Sequence, residues 1–205
     1  MNGAALRLGR LFNRRSRRSF IVAFDHGTSF RVSPEVGKPV EVLQNIVAGE
    51  PDGVLISPGM LQQAAHLFAF RGAPVPILRA DWTVLDERMR DLGEHYRVLC
   101  TPRDALALGA GAMVMYLIMG PEEGHMFADN VQAIAKAAHE ARSVGMPLIV
   151  EATLWGSRME DRKDPDLLAY CCRIAAEIGA DAIKTEYTGD PNTMADVIEG
   201  CAVPV

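Results

Sequence analysis

Cysteine is scarce in this sequence, and its placement excludes two kinds of structure. The 205 residues contain four cysteines, Cys100, Cys171, Cys172 and Cys201. None of them forms a C-x-x-C pair, and the adjacent Cys171 and Cys172 lie within a helical pattern. Neither a zinc site nor a disulfide framework is therefore indicated. A reduced, cytoplasmic protein is the simplest interpretation.

Long hydrophobic runs are also missing. No apolar stretch approaches the ~20 residues that a membrane span needs. Arginines interrupt the apolar residues at the N-terminus, where a signal peptide would have its hydrophobic region. Hydrophobic residues make up 49% of the chain and charged residues 23%, which is ordinary for a globular protein. We therefore expect one soluble domain, residues 1–205, with no membrane partner.

Several motifs that would identify an enzyme class are absent. The five histidines have no H-x-x-x-H or H-x-H spacing, so no metal site is predicted. No G-x-G-x-x-G follows the first strand-like run, and neither G-x-S-x-G nor the P-loop motif is present. Dinucleotide binding, serine-hydrolase chemistry and P-loop chemistry are therefore disfavoured, and we expect no cofactor.

Positive charge is concentrated at one end of an otherwise acidic chain. The net charge is −5, yet residues 1–18 contain six arginines and no acidic residue. A basic arm of this kind can bind nucleic acid or phosphate. Alternatively it is an amphipathic lead-in helix whose Leu6, Leu8, Leu11 and Phe12 pack on the body or on a neighbouring subunit. We favour the lead-in, because nothing else in the chain indicates a nucleic-acid partner.

Short strand-like runs alternate with helical patterns along the rest of the chain. One helix is predicted to begin at Asp164-Pro165, an N-cap followed by a first-turn proline, and to close at Gly179. The segments 109–113 and 179–183 match at a distance of 70 residues, which indicates an internal βα repeat of about 35 residues. The six predicted strands are 20–24, 53–57, 75–80, 112–118, 147–153 and 181–187.

Strands that are each followed by a helix predict a parallel sheet, either open and doubly wound or closed into a barrel. We favour a TIM (β/α)8 barrel, because such barrels spread their site residues over many strand ends. Residues 201–205 resemble the first half of a seventh strand, so we expect a chain truncated after about six βα units, without strands 7 and 8. The polar residues at the predicted strand ends are Asp25, Ser57, Asp81, Glu151 and Lys184.

Lys184 is the candidate nucleophile. It is one of four lysines and the only one inside an apolar strand. Alternation places it on one face with Ala182 and Glu186, and if Ile183 faces the helices, Lys184 points into the barrel. Burial there would disfavour the ammonium, lower the pKa and make the amine reactive towards a ketone or aldehyde. The alternative is a structural lysine paired with an acid.

Two carboxylates are candidate proton carriers. Asp25 ends the first strand and is expected to project inward, unless it only caps the next segment. Glu151 lies in an apolar strand, where a carboxylate is costly unless paired or protonated, so it is either a proton carrier or the partner of Lys184. Thr153 shares that inward face as a weaker hydrogen-bond donor.

Three further side chains are candidates for substrate binding. His26 follows Asp25 and offers acid–base chemistry, although a histidine beside a turn glycine is as often a hydrogen-bonded brace. Trp155 and Tyr187 follow the fifth and sixth predicted strands. Both are placed to line a pocket, or else to pack as aromatic residues near strand ends commonly do.

These residues resemble a known family. The A-F-D-H-G segment at 23–27, the D-A-I-K strand at 181–184 and the Y-T-G-D-P segment at 187–191 are similar to the archaeal-type class I fructose-bisphosphate aldolases. Relatives in that family include an aldolase that makes an aminodideoxyheptulosonate precursor of aromatic amino acids, and the thiolase that degrades phosphorylated autoinducer-2. The similarity spans nearly the whole chain.

The resemblance implies a TIM barrel with a Schiff-base lysine at Lys184, an acidic partner at Asp25 and no metal. It also implies a ring-like homo-oligomer, often of ten subunits, and phosphate binding by the seventh and eighth βα loops. The fifth strand of the fructose-bisphosphate aldolases ends in a Trp-x-Tyr pair whose tyrosine is the acid/base. This sequence departs from that pattern with Glu151 and Thr153.

Taken together, these features predict a cytoplasmic lyase that cleaves or forms a carbon–carbon bond in a small phosphorylated sugar or ketone. Lys184 would attack the carbonyl, and Asp25 and Glu151 would carry protons. One alternative is a thiolase or transaldolase-type transferase on the same scaffold. Another is a non-catalytic, truncated barrel that serves as a subunit or binding protein.

Overall fold

Six parallel strands form a single curled sheet. The structure, a computed structural model, describes residues 3–29, 38–84, 89 and 92–205. The strand order in the sheet is β1-β2-β3-β6-β7-β8, so neighbouring strands follow one another along the chain apart from one short excursion. The sheet strands are β1 Ile21–Phe24, β2 Gly53–Ile56, β3 Val75–Arg79, β6 Ala112–Ile118, β7 Leu148–Thr153 and β8 Ala182–Thr185.

The excursion is an antiparallel pair that the sequence patterns did not predict. Strand β4, Asp81–Thr83, directly follows β3, and it pairs with β5, Tyr96–Val98. Ala80 joins the two sheets, because its amide donates to the carbonyl of Val114 and its own carbonyl accepts from Leu99 and Cys100. The chain then returns to the parallel sheet through the helix Pro102–Ala107.

Helices precede, connect and follow the strands, as the alternating pattern predicts. Asp164 accepts a hydrogen bond from the amide of Leu167 at 2.9 Å, and Pro165 is the first residue of its helix, which confirms the predicted helix start. The helices are α1 Gly3–Leu8, α2 Pro39–Ala48, α3 Pro58–Gln63, α4 Pro102–Ala107, α5 Gly124–Val144, α6 Pro165–Glu177 and α7 Pro191–Glu199.

The internal repeat corresponds to a recurring helix end. Gly109, Gly145 and Gly179 all have positive φ, at 82°, 67° and 112°, and each lies just after a helix. The residue after each glycine donates its amide to the helix, as Ala180 does to the carbonyl of Ala175 at 3.1 Å. Glycine is favoured there because left-handed backbone carries no Cβ penalty. Each such end turns the chain directly into the next strand.

The two faces of the sheet have separate apolar cores. Residues such as Val54, Leu78, Met115 and Val150 point outward and pack against the helices. The inner face carries a smaller apolar layer formed by Leu11, Leu55, Ile77, Ala112, Val114, Ile149 and Ala182. Strands β6 and β7 are buried along their whole length, as expected for strands covered on both faces.

The N-terminal segment packs at the amino end of the strands. Leu11 is only 1% exposed and belongs to the inner apolar layer. Arg7 donates to the carbonyl of Gly145 at 2.8 Å, where a cation complements the C-terminal dipole of α5. Leu6, by contrast, is 70% exposed. The lead-in therefore contacts the body of the protein mainly through its later residues.

The parallel sheet is a curled half-barrel, with β1 and β8 at its two edges. Beyond β8, the amide of Ile183 donates to the carbonyl of Pro204 at 2.8 Å. This architecture confirms the TIM-barrel type of α/β fold over an open, doubly wound sheet. All six parallel strands direct their carboxyl ends to the same rim of the half-barrel.

Candidate active site

Charged and aromatic side chains occupy the inner face immediately above the apolar layer. In β3, β7 and β8, the residue two positions after an inner apolar residue is charged: Arg79 after Ile77, Glu151 after Ile149 and Lys184 after Ala182. Because side chains two apart in a strand share a face, these three groups project inward. They come together at the carboxyl ends of the strands.

Lys184 and Glu151 are direct neighbours. The two residues are paired in the register of β7 and β8, and Lys184 Nζ contacts Glu151 Oε1. The Glu151 side chain is 8% exposed, whereas that of Lys184 is 42% exposed. The amine therefore lies on the inner face, with its carboxylate partner behind it and open space in front.

Arg79 is the centre of the cluster, and it is the residue that sequence analysis missed. Its Nε donates to Asp25 Oδ2 at 2.7 Å, its Nη2 contacts Glu151 Oε2, and its Nη1 lies 3.4 Å from Asp81 Oδ1. The side chain is fully buried. A detectable signal was present in the sequence, since Arg79 follows Ile77 at the spacing that places it inward.

An aromatic ring completes the surroundings of the guanidinium. Arg79 Cζ lies 3.6 Å from the centroid of the Tyr116 ring, which is close enough for a cation–π interaction. The amide of Tyr116 donates to Asp81 Oδ2 at 2.6 Å. Tyr116 in turn packs against Trp155, with ring centroids 5.3 Å apart and planes at 50°.

Burial and mutual attraction shift the pKa values of these groups in different directions. Burial works against the charge of Arg79, but Glu151, Asp81, Tyr116 and Asp25 outweigh it and raise the pKa of the guanidinium. Burial likewise opposes ionisation of Glu151, yet Arg79 and Lys184 hold the pKa of this carboxyl below its usual value. Asp81 behaves differently, because burial prevails over the pull of Arg79 and raises its pKa to about 7.

A cavity of about 310 Å³ opens above these side chains. Thr153 is 1% exposed, and among the described residues its hydroxyl has no hydrogen-bond partner. Trp155 Nε1 donates to Glu186 Oε1 at 3.2 Å across the rim. The cavity is lined by Asp25, His26, Tyr116, Glu151, Thr153, Trp155, Lys184, Thr185 and Glu186.

Six of the seven residues singled out from the sequence line this cavity, and Tyr187 does not. Tyr187 is 52% exposed and follows the end of β8, where strand alternation no longer governs side-chain direction. Asp25 lies at the start of the short helical turn His26–Thr28, but its carboxylate makes no cap to that turn. It pairs instead with Arg79.

The loops at the rim are tied together through Glu94 and two glycines. Glu94 Oε1 accepts from the amide of Ser157 at 2.6 Å, and Glu94 Oε2 accepts from the amide of Glu122. Gly156 has φ 117°, and a Cβ there would lie 2.1 Å from the carbonyl oxygen of Gly120. Only glycine permits this approach. The loops after β6 and β7 are thereby held against each other beside the cavity.

The described part of the chain contains neither a group of metal-binding side chains nor a membrane-spanning helix. Within residues 3–29, 38–84, 89 and 92–205, no three His, Cys, Asp or Glu side chains are grouped so as to hold a metal ion. In the same residues, no helix combines the length and apolar character needed to cross a lipid bilayer.

A half-barrel of parallel strands with charged groups converging at the carboxyl ends defines the class of α/β-barrel enzymes that act at that rim. The chain belongs to the DeoC/LacD family of aldolases, whose family model matches residues 19–205. The resemblance drawn from the segments around Asp25 and Lys184 is therefore confirmed at the level of the family.

Two relatives cover most of the chain. An uncharacterized aldolase of Saccharolobus solfataricus is 32% identical over 208 residues, which span 100% of this chain and 76% of the relative. The class 1 fructose-bisphosphate aldolase of Thermoproteus tenax is 30% identical over 195 residues, which span 90% of this chain and 68% of the relative. The relatives thus include both an uncharacterized aldolase and a named fructose-bisphosphate aldolase.

Solved structures match the half-barrel closely. The crystal structure of an archaeal fructose 1,6-bisphosphate aldolase aligns with a TM-score of 0.80 at 26% identity, covering 98% of this chain and 78% of that chain. A second archaeal fructose-1,6-bisphosphate aldolase, with its catalytic lysine covalently bound to the carbinolamine intermediate of the substrate, aligns with a TM-score of 0.78 at 27% identity. Its coverage of the two chains is likewise 98% and 78%.

Proposed function

We propose that this chain is a class I aldolase, which forms a Schiff base through Lys184 and cleaves or forms a carbon–carbon bond in a phosphorylated ketose. The observation that carries the proposal is the position of the Lys184 amine. It lies on the inner face at the carboxyl end of β8, in contact with Glu151 and open to the cavity. A lysine amine so placed is able to condense with a carbonyl carbon.

The first step is carbinolamine formation. The nitrogen lone pair of Lys184 adds to the ketone carbon after the ammonium has given up a proton, and Glu151 Oε1 is the acceptor in contact with it. A second proton moves from the nitrogen to the carbonyl oxygen, which becomes a hydroxyl. This hydroxyl takes the proton held by Glu151 and leaves as water, and a protonated imine remains. This iminium is the electron sink for the next step.

Cleavage requires a base on the substrate side. Removal of the proton from the hydroxyl on the carbon beyond the breaking bond turns that carbon into a carbonyl and releases an aldehyde. The bonding electrons move to the iminium and form an enamine, which is then protonated at carbon and hydrolysed to free the amine. Condensation is the same sequence in reverse.

The two carboxylates are differently engaged, which supports different roles for them. Both oxygens of Glu151 are occupied, one by Arg79 and one by Lys184. Asp25 uses Oδ2 for Arg79, while its Oδ1 accepts no hydrogen bond within the described residues. We therefore assign the amine proton to Glu151 and the substrate hydroxyl proton to Asp25.

Thr153, His26 and Trp155 complete the proposed substrate contacts. The buried hydroxyl of Thr153 lines the cavity and has an unused donor and acceptor, so it is assigned to a polar atom of the substrate. His26 and Trp155 line the same cavity. Tyr187 stays outside this assignment because it does not line the cavity.

The substrate class rests on the relatives. A class 1 fructose-bisphosphate aldolase is among them, which supports a phosphorylated ketose. A cytoplasmic location and a homo-oligomeric assembly, up to a ring of ten, are proposed from the family resemblance alone. Light scattering on the purified protein measures the assembly.

Reductive trapping tests the proposed function. The protein is incubated with dihydroxyacetone phosphate or fructose 1,6-bisphosphate, reduced with borohydride, digested and analysed by peptide mass spectrometry. The expected result is an adduct on the peptide that contains Lys184, absent in Lys184→Met and retained in Lys136→Met, a matched change at an exposed helix lysine. No adduct at Lys184 with either ketose rules out this mechanism for these substrates. Activity that requires coenzyme A would favour the thiolase-type alternative.

A further inference from the structure

A positive charge lies beneath the proposed site, out of reach of both solvent and substrate. The Arg79 side chain is 0% exposed and is not among the residues that line the cavity. Burying an unpaired charge is costly, so a guanidinium in this position needs several partners. Arg79 has them on three other segments: Asp25 after β1, Asp81 in β4 and Glu151 in β7.

The three ion pairs use three different nitrogens of the guanidinium. Nε faces Asp25, Nη1 faces Asp81 and Nη2 faces Glu151. One flat face of this fork packs against the Tyr116 ring, whose centroid lies 3.6 Å from Arg79 Cζ. Such a planar fork has only one orientation that satisfies all of these contacts, and a lysine ammonium has no equivalent geometry.

The consequence concerns Asp25 and Glu151, to which we have given different protons. They come from opposite parts of the sheet, since Asp25 follows the edge strand β1 and Glu151 lies in β7. Arg79 on β3 lies between them in the strand order and contacts both. Without a shared cation, two carboxylates directed into one buried site would repel each other, and one of them would take up a proton.

We propose that Arg79 is a positioning residue of the aldolase site, which holds Glu151 against Lys184 and Asp25 towards the substrate. This inference rests on the proposed function. Arg79 touches neither the cavity nor a reacting atom, so it acts through the two carboxylates. The proposal adds a residue that the sequence patterns did not single out.

The pH dependence of the reaction distinguishes positioning from mere structural support. Arg79 and Lys184 hold the pKa of Glu151 below its usual value despite burial. If the charge at position 79 is displaced, the pKa of Glu151 rises, and the acid limb of the rate profile moves to higher pH. Among the described residues, the titratable and charged groups around Glu151 are Arg79 on β3, Tyr116 on β6, Lys184 on β8, and Asp25, His26, Asp81 and Glu186 at the strand ends.

The experiment compares Arg79→Lys with Arg173→Lys, a matched change at an exposed arginine that pairs with Glu177. The rate of reductive trapping at Lys184 is measured between pH 4 and 9. We expect the acid limb of Arg79→Lys to move up by about one pH unit and its trapping rate at neutral pH to fall at least about tenfold. Arg173→Lys should retain the wild-type profile.

An unmoved acid limb in a folded Arg79→Lys protein would overturn the proposal, even if the rate fell. Should Arg79→Lys fail to fold, Arg79→Gln provides the second test, because the glutamine amide can still donate to the carboxylates but carries no charge. The pKa of Glu151 should then rise at least as far as in Arg79→Lys, so the acid limb should again move to higher pH. A limb that stays or falls contradicts the inference.

These outcomes are separate from failure of the proposed function. If wild-type protein gives no adduct at Lys184, the Schiff-base mechanism itself is wrong and the Arg79 variants have no rate profile to report. If wild-type protein is trapped at Lys184 and the two variants behave as Arg173→Lys does, the aldolase assignment stands and only the positioning role fails.

Discussion

Two layers of the inner sheet face lie one above the other on the same strands, and they differ almost completely in character. The lower layer, towards the amino ends, consists of apolar side chains such as Leu55, Ile77 and Ile149. The upper layer, two residues further along, holds Arg79 and Glu151 with their partners. The apolar layer and the charged layer are thus only two residues apart along each strand, roughly 7 Å.

The difference shows how one backbone arrangement serves two purposes. In the lower layer, apolar side chains are removed from water, and this burial stabilises the fold. In the upper layer, every ionised group pays a desolvation cost that is offset only by specific partners on other strands. Substitutions in the lower layer should therefore affect stability alone. Substitutions in the upper layer should affect activity and also stability, because they leave a buried partner charge uncompensated.

The largest expected effect is on catalysis and follows from Glu151→Gln. The amide removes the proton acceptor that contacts Lys184 and leaves Arg79 with less negative charge around it. We expect trapping at Lys184 to slow by about 10²- to 10⁴-fold. Glu177→Gln, at an exposed ion pair, is the matched control and should trap at the wild-type rate. Trapping of Glu151→Gln within threefold of wild type would remove Glu151 from the mechanism.

A stability change of several kcal/mol is expected in the lower layer from Ile77→Ala. Ile77 is 1% exposed and packs with Leu11 and Leu55, so truncation should cost about 2–5 kcal/mol in the free energy of unfolding. Denaturant titration measures this cost, with Ile21→Ala, at a position 38% exposed, as the milder comparison. Trapping per folded molecule should change little. Equal costs at the two positions would contradict the division into layers.

The parallel strands and the helices between them were accessible from the sequence, because each depends on local periodicity. Alternation within 181–187 places Lys184 on the inner face if Ile183 faces the helices, and it places Tyr187 on the opposite face. The expectation that Tyr187 lines the pocket came from its position after the strand, and the cavity lining does not include it. Helix starts such as Asp164-Pro165 were equally local. These features need only the residues within one element.

The charged layer could be predicted only in part from the sequence, because its ion pairs join segments that are far apart along the chain. Arg79 reads as a lone cation at the end of an apolar run, and its partners lie up to 72 residues away along the chain. The antiparallel pair β4–β5 is similarly set by contacts at Ala80 rather than by a pattern in its short strands. Sequence periodicity cannot predict that three carboxyl groups contact one guanidinium.

The smallest expected effect comes from two threonines that line the same cavity but differ in their hydrogen bonds. Thr185 Oγ1 donates to the carbonyl of Ala152 at 2.9 Å, whereas the buried hydroxyl of Thr153 has no partner among the described residues. Thr185→Val should therefore lose about 1 kcal/mol of stability, while Thr153→Val should be neutral or slightly stabilising, because it removes an unsatisfied polar group.

Thr153→Val should lower the activity of the enzyme even though it does not lower its stability. If its hydroxyl is kept unpaired in order to contact substrate, Thr153→Val lowers kcat/KM for the ketose by about three- to tenfold, equivalent to one hydrogen bond of about 1 kcal/mol. Thermal unfolding and steady-state kinetics on the same preparations measure both quantities. Unchanged kinetics in Thr153→Val would contradict a contact between this hydroxyl and the substrate. The unpaired hydroxyl would then lower stability without contributing to substrate binding, and the proposed site would not explain why it is there.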